Sequence, residues 1–295
     1  MAEGGYMGTK GFGSVVPYAK TAAESLRSAP LVMAGCVAAV AAGAFAVCAE
    51  QTAYLSAYDL APGYVDSFIW LFSSHRGVPL LWCIAPGALM VWLAVAGSSR
   101  RGAAWVVRHG NARQLWVEDT VDAVVGAAVI GAATVISACA AAAVFSGGAA
   151  ADFGPHGVFA AVTGQVPQVP LEVGVVIAAC AVLSFLVLSV FGAAFQLGRL
   201  ALNGPAVPFA VLVLLGLPTI HGSQSFLLEA ARLLNLGVDP NGVTNPLSLP
   251  FNVSSVFYGS WLPGSSHGFW LQAVLFAALF VVGLLVSARK DRLRP

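Results

Sequence analysis

Apolar residues along this chain fall in long blocks, and the stretches between the blocks hold nearly all of the charged residues. A helix needs about 20 apolar residues to cross the hydrocarbon core of a bilayer, and most of these blocks approach or reach that length. Because lipid offers no partner for an unpaired backbone N–H or C=O group, such blocks predict membrane-spanning helices. The predicted spans are residues 30–49, 78–97, 121–146, 173–195, 206–220 and 268–288, of which the fifth is the shortest and holds Pro208 and Pro218.

The composition leads to the same class of protein. Hydrophobic residues make up 58% of the 295 residues and charged residues only 9%, whereas charged residues are about 25% of a typical soluble domain. A soluble chain of this length needs more charge to cover its surface. The sequence therefore excludes a soluble protein and predicts an all-α, polytopic membrane protein with about six transmembrane helices. We expect it in the plasma membrane, and in a bacterial cytoplasmic membrane in particular.

The positions of lysine and arginine predict the orientation of the spans. If both termini are cytosolic, 12 of the 14 basic residues lie on the cytosolic side, and only Arg76 and Arg232 lie outside. Cytosolic segments of membrane proteins carry such an excess of Lys and Arg, so this split predicts cytosolic termini and an even number of spans. The 12 residues are Lys10, Lys20, Arg27, Arg100, Arg101, Arg108, Arg113, Arg199, Arg289, Lys290, Arg292 and Arg294.

The predicted spans divide the chain into three parts. Residues 1–29 form a cytosolic arm, in which residues 17–28 have the pattern of an amphipathic helix. This helix either lies along the membrane interface or is an ordinary solvated linker. Residues 30–288 form the six-helix transmembrane domain, and residues 289–295 form a basic cytosolic tail. Residues 1–16 contain no apolar signal-peptide core, so we expect the first span to be a retained signal anchor.

The chain lacks two motifs that would indicate catalysis. It contains no GxxxxGK phosphate-binding loop and no HExxH zinc motif. We therefore expect no catalytic residue, no cofactor and no metal site, and we expect any ATP hydrolysis to belong to a partner. The cysteines all fall inside predicted spans, which favours packing over a disulfide framework. They are Cys36, Cys48, Cys83, Cys139 and Cys180.

A cluster of carboxylates lies at the beginning of the third predicted span and consists of Glu118, Asp119 and Asp122. These side chains could bind a cation at the cytosolic mouth of the bundle. We favour a second interpretation, in which Asp119 or Thr120 caps the third span, because acidic side chains are stabilised at the N-terminus of a helix. No charged residue falls in the middle of a predicted span, which argues against a proton-coupled transporter.

Residues 98–120, between the second and third spans, form a short, basic and amphipathic loop. Trp105, Leu115 and Trp116 lie there among arginines such as Arg108. The loop either binds anionic lipid, to which each basic residue near the surface contributes roughly 1 kcal/mol, or docks on a soluble partner.

The nine residues RHGNARQLW at positions 108–116 resemble the R-x-G-s-(basic)-x-x-x-W stretch of the membrane subunits, or permeases, of small export-type ABC transporters. In that family the stretch follows the second span and faces the ATP-binding subunit. The amphipathic helix, the six spans, the long outer loop before the last span and the basic tail are similar to the plan of the same family. The resemblance implies four partner-coupling residues, which are Arg108, Gly110, Arg113 and Trp116.

The resemblance also implies a separate ATP-binding subunit and a second permease copy or paralogue as partners, in addition to membrane lipid. The apolar, uncharged spans favour export of an amphipathic or lipid-like substrate. The alternative is a non-transporting membrane subunit that anchors or assembles a larger complex. In that case the same loop binds lipid or a cytosolic protein without coupling to ATP. The net charge of +1 gives no reason to expect nucleic acid as a partner.

Overall fold

The computed structural model describes residues 23–24, 26–57, 63–73, 84–100, 111–146, 173–202, 206 and 267–292. Within these ranges the regular structure is helical and contains no strand, which confirms the all-α fold class. The six helices are α1 (Pro30–Ser56), α2 (Tyr64–Ser73), α3 (Ala85–Arg100), α4 (Ala112–Phe145), α5 (Val173–Leu202) and α6 (His267–Arg292).

Four of these helices are long and apolar enough to cross a membrane. They are α1, α4, the Cys180–Leu202 part of α5 and the Gln272–Lys290 part of α6. In α3, Ala85–Gly97 forms a shorter apolar helix. The chain is therefore a membrane-embedded helical protein. The fifth predicted span, 206–220, lies outside the described residues except for its first residue.

Several helices extend past the predicted spans. Helix α4 begins at Ala112 and not at residue 121, α5 ends at Leu202 and not at residue 195, and α6 reaches Arg292. The apolar blocks mark only the most apolar part of each helix. Beyond that part, the backbone continues its helical hydrogen bonds while the side chains become polar.

Helix α1 begins at a proline that suits the first turn. Pro30 is the first helical residue, where its missing N–H has no helical partner to lose. The Met33 N–H then donates to the Ala29 carbonyl at 3.0 Å. In the predicted amphipathic segment before it, Ala23, Glu24 and residues 26–28 are helical.

The interior face of α1 has the spacing of a packed helix. Its buried residues recur every three or four positions, which places them in one stripe. The side chains in the stripe are mostly small or of medium size. The helix packs mainly against α3 and α4. The members of the stripe are Met33, Cys36, Val40, Ala44, Cys48, Gln51 and Leu55.

The described cysteines lie in helix packing, as the sequence predicts. Cys36, Cys48 and Cys180 are buried, Cys139 is half-buried, and all four are free thiols. The Cys36 thiol donates to the Ala88 carbonyl of α3 at 3.2 Å, so it links two helices.

Helices α4 and α5 are antiparallel and in close contact. Gly131 of α4 lies against the backbone of Phe185, whereas Gly192 of α5 lies against Ala123. Residues nearer the N-terminal end of α4 therefore contact residues nearer the C-terminal end of α5. The small residues bring the two backbones near each other, which is how helices associate in lipid.

Helix α3 packs against α4 at Gly126. A Cβ atom on this glycine would lie 2.5 Å from the Trp92 ring and 2.7 Å from Leu89 Cδ1. Trp92 and Leu89 are themselves fully buried, so the ring and the methyl group have little room to move. The absence of a side chain at Gly126 therefore sets the distance between α3 and α4.

Helix α1 runs in the same direction as α4. Its Cys36 contacts Ala88, which neighbours the α3 residues that pack on the middle of α4. Farther along α1, the Phe45 ring packs edge-on against Phe145, the last residue of α4, with ring centroids 6.2 Å apart. The contact point therefore advances toward the C-terminal end of both helices.

We predict that Gly126→Ala lowers the free energy of unfolding by about 1–3 kcal/mol, because the added methyl group overpacks the Trp92 contact. Helix propensity alone would change stability in the opposite direction, by up to about 1 kcal/mol. Thermal unfolding of the purified protein in detergent measures the effect. Gly35→Ala is the matched control, because a Cβ atom there meets nothing within 4 Å. Equal losses in the two variants would contradict the prediction.

Candidate functional site

Four helix ends meet at one end of the bundle, where α4 begins and where α3, α5 and α6 finish. Arg199 near the end of α5 donates to the Leu93 carbonyl of α3, and Lys290 near the end of α6 donates to the Leu200 carbonyl of α5. We call this the basic end, because it carries Arg113, Arg199, Arg289 and Lys290.

Helix α4 begins with a side-chain cap at this end. Asn111 has an extended backbone, with φ of −131° and ψ of 115°. Its side-chain oxygen accepts a hydrogen bond of 2.8 Å from the Arg113 N–H. Asparagine is among the best residues for this position, because it satisfies a backbone N–H that the helix leaves unpaired.

The predicted cap at Asp119 or Thr120 is therefore wrong. Both residues lie inside α4, whose first residue is Ala112. The Thr120 hydroxyl donates to the Trp116 carbonyl one turn earlier, at 2.8 Å. The apolar block begins within the helix, whereas the helix itself begins earlier, directly after Asn111.

Two of the four predicted coupling residues lie in the described part of the chain. Arg113 is exposed in the first turn of α4, and Trp116, three residues later, is fully buried. Arg108 and Gly110 lie outside the described residues. The described half of the motif thus has one side chain that faces outward and one that packs into the bundle.

Trp116 fastens the beginning of α4 to α6. Its indole N–H donates to the Phe280 carbonyl at 3.1 Å, and its ring lies beside the Phe280 ring, with centroids 6.5 Å apart. The indole also lies directly on the backbone of Gly283. Any larger residue at Gly283 would overlap the indole, so glycine is required for this contact.

Arg199 of α5 is buried, with only 3% of its surface exposed. Its Nη1 donates to the Leu93 carbonyl at 2.8 Å and to Gln196 Oε1 at 3.1 Å. The guanidinium lies against Gly97 of α3 and 5.6 Å from the centroid of the Phe195 ring. This one side chain therefore joins α5 to the end of α3.

The predicted fourth and fifth spans, 173–195 and 206–220, place Arg199 in the loop between them, and this placement is wrong. Helix α5 continues to Leu202, which places Arg199 within its last turn. Gln196 from the same turn also reaches α4, since its Nε2 donates to the Asp119 carbonyl at 3.5 Å. The spacing of three residues between Gln196 and Arg199 puts both side chains on neighbouring positions of one helix face.

The three carboxylates of α4 have different surroundings. Glu118 is half-buried and accepts a hydrogen bond from Gln114 at 3.2 Å. Asp119 is half-buried, whereas Asp122 is only 3% exposed. Among the described residues, no group of three or more His, Cys, Asp and Glu side chains could hold a metal ion.

The architecture defines the class of the chain as a polytopic α-helical membrane protein. No protein-family model matches the chain, and no curated protein or solved structure matches it either.

Sequence reasoning missed several residues that form this end of the bundle. Gly283 and Phe280 receive Trp116, and Gln196 joins α5 to α4. A polar pair at Gln196 and Arg199, directly after the fourth predicted span, was a local signal for a longer helix. No local signal predicted the contact between Trp116 and Phe280, because the two residues are 164 positions apart in the chain.

We predict that Trp116→Ala lowers the free energy of unfolding by about 3–5 kcal/mol, because it removes a fully buried ring from the junction of α4 and α6. Thermal unfolding in detergent measures the loss. Trp270→Ala is the matched control, because Trp270 lies in the same helix as Phe280 and is 67% exposed. A loss at Trp116 no larger than the loss at Trp270 would refute this role.

Proposed function

We propose that the chain is the membrane subunit of an ABC transporter that exports an amphipathic or lipid-like substrate with a separate ATP-binding subunit. One observation carries the proposal. Residues 111–116 of the predicted coupling stretch form the cap and the beginning of α4. The first turns of α4 are in turn attached to α6 through Trp116 and to α5 through Asp119.

These attachments supply a mechanical route for coupling. A partner that pushes on the exposed Arg113 displaces the beginning of α4. Because the Trp116 indole is held by Phe280 and Gly283, α6 moves with it. Packed helices shift as rigid bodies between discrete arrangements, so closure of the ATP-binding partner would rock the bundle.

The helix directions support six crossings. Helices α5 and α6 pack against each other with their C-terminal ends together at the basic end, so they are parallel. Leu202 and His267 therefore lie at opposite ends of the bundle. A membrane crossing within residues 203–266 would connect these two ends, and the predicted fifth span, 206–220, would supply it. The positive-inside rule then favours a cytosolic basic end.

Buried polar side chains favour transport over a purely anchoring role. Gln51, Ser67 and Ser184 are buried in three different helices, and the polar atoms of their side chains find no hydrogen-bond partner among the described residues. A buried polar group without a partner costs free energy, and in membrane proteins such groups face bundle interiors or aqueous pathways. Water or the polar part of a substrate would satisfy them during transport.

We predict that reporters fused after Pro295 and within residues 101–110 are cytosolic, whereas a reporter within residues 241–263 is external. The reason is the unequal distribution of Lys and Arg. Alkaline phosphatase and fluorescent-protein fusions measure the two locations. A cytosolic signal from residues 241–263 would exclude the six-span topology.

We predict that Arg113→Glu lowers the partner's affinity, or its stimulated ATPase activity, by up to about fivefold, because an exposed interfacial charge contributes up to about 1 kcal/mol. The measurement uses an ATPase encoded next to this chain, copurified with it and assayed in proteoliposomes. Arg113 is exposed, so its replacement leaves helix packing intact.

Arg289→Glu is the matched control for this experiment. Arg289 is exposed at the same end of the bundle, and its replacement makes the same change of charge. We expect near-normal coupling in this variant, because it lies outside the coupling stretch. Equal losses in both variants would indicate a general effect of charge at the membrane surface. The absence of any associated ATPase would favour the anchoring subunit instead.

A further inference from the structure

Three neutral polar side chains are buried in the half of the bundle that lies away from the basic end. They are Gln51 of α1, Ser67 of α2 and Ser184 of α5, and each is at most 2% exposed. Neither the Nε2 nor the Oε1 atom of Gln51 has a hydrogen-bond partner among the described residues, and the same holds for the two hydroxyl groups. Buried polar groups are nearly always paired, because an unmade bond leaves the cost of desolvation uncompensated. These three groups therefore point to a bound molecule that pairs with them.

The two serines depart from the behaviour of other hydroxyl groups in these helices. Thr52, Thr134 and Ser189 each donate to the carbonyl four residues earlier, which satisfies the hydroxyl within its own helix. Ser189 lies on the same helix as Ser184 and is nearly as deeply buried. Ser67 and Ser184 leave this bond unmade, so their hydroxyl groups are available to a partner outside the helix.

The short helix α2 takes the place of α3 in this half of the bundle. Ala88, near the beginning of α3, contacts Cys36 of α1, and the next residue along α3 lies beside Gly192 of α5. From these contacts α3 runs to the basic end. Gln51 lies about four turns beyond Cys36, and Ser184 lies about two turns before Gly192, so α3 covers neither of them. Helix α2 contacts α1, α4 and α5 instead.

The contact of α2 with α4 places the two serines near each other. Tyr64 shares a side-chain hydrogen bond with Cys139 of α4, which lies near Cys180 of α5. Ser67 is one turn from Tyr64 on the same face of α2, and Ser184 is one turn from Cys180 on the same face of α5. Each unpaired hydroxyl group therefore lies about one turn from the same contact of three helices.

The chemistry of the three side chains selects an uncharged polar group. Amide and hydroxyl groups both donate and accept hydrogen bonds, and they carry no charge. A charged group buried against them would receive no counter-charge from them, which disfavours it strongly. Buried apolar side chains lie within one turn of each polar group, and they suit a hydrocarbon tail. They are Cys48 and Leu55 on α1, Phe68 and Leu71 on α2, and Leu183 and Val187 on α5.

We propose that this half of the bundle binds the uncharged, hydroxyl-bearing headgroup of an amphiphile, with Gln51, Ser67 and Ser184 as its hydrogen-bond partners. The site requires no ATP-binding partner, so it goes beyond the proposed function and does not depend on it. In a transporter the headgroup belongs to the cargo, whereas in an anchoring subunit it belongs to a resident lipid.

Native mass spectrometry of the delipidated full-length chain in a zwitterionic detergent tests the ligand class. The probes are three dioleoyl lipids that carry a glucosyl, a phosphate or a trimethylammonium headgroup. We expect the glucosyl lipid to bind at least about fivefold more tightly than either charged lipid, which corresponds to one net hydrogen bond. Equal affinities, or a preference for a charged headgroup, would overturn the proposal.

A matched pair of serine variants locates the site. Ser184→Ala should weaken binding of the glucosyl lipid about fivefold, because it removes one of the bonds to the headgroup. Ser189→Ala makes the same change on the same helix, but its hydroxyl already donates to the Phe185 carbonyl. We expect no loss of binding in this control. Equal affinities of the two variants would place the lipid elsewhere and refute the site.

Gln51→Met separates a ligand-binding role from a structural one. It removes the amide and keeps an unbranched side chain of similar length. Without added lipid, the melting temperature should rise by about 2 °C or more, because an unpaired buried amide destabilises the empty protein. The preference for the glucosyl lipid should fall at least about fivefold. A lower melting temperature would show that Gln51 stabilises the bundle itself, and it would overturn the assignment of this residue to the ligand.

Lipid extraction from the freshly purified chain distinguishes the two sources of the headgroup. About one uncharged lipid per chain identifies a resident lipid, and glucosyl-lipid binding by a chain that retains none identifies an exchangeable cargo. Either result supports the site. Intact binding without ATP-dependent export would refute the proposed function alone, whereas a single charged lipid retained per chain and lost in Ser184→Ala would refute the ligand class proposed for this site.

Discussion

The hydrocarbon core of a bilayer has no hydrogen-bond donors or acceptors, and this constraint governs the placement of many polar groups in the bundle. Inside the helices, hydroxyl groups turn back onto their own backbone. Thr134 donates to Ile130 at 2.8 Å, and Ser189 donates to Phe185 at 2.7 Å. Between helices, Cys36 and Arg199 donate to carbonyls of α3. Bonds of the second kind join elements that the apolar surfaces alone would leave free to slide.

Two kinds of helix contact hold the described part of the bundle together. Near the middle, contact depends on small residues such as Gly126 and Gly131, which allow close approach without directional bonds. At the basic end, Trp116, Gln196 and Arg199 fix the helices through directional bonds. The middle can therefore adjust its packing more easily than the end, where the arrangement is either made or broken.

The sequence predicted the helical class, the membrane setting and most of the long helices, because apolar length reports directly on the bilayer. It did not predict the start of α4, although Asn111 before a helix is a known capping signal. It also assigned Arg199 to a loop, because charge was taken as the end of a span. The contact of Trp116 with Gly283 could not be predicted from local pattern, since it depends on how distant helices pack.

The distance in sequence between Trp116 and Phe280 has a consequence for biogenesis. Phe280 lies 164 positions after Trp116, and a chain of that length takes roughly 10–30 s to synthesise at ordinary rates. During that interval α4 is already made while the surface that covers its tryptophan does not yet exist. The indole therefore stays uncovered at the edge of the nascent bundle until α6 is complete. A chain stopped before α6 would leave an aromatic side chain uncovered, which is a feature that quality-control proteases and chaperones can recognise.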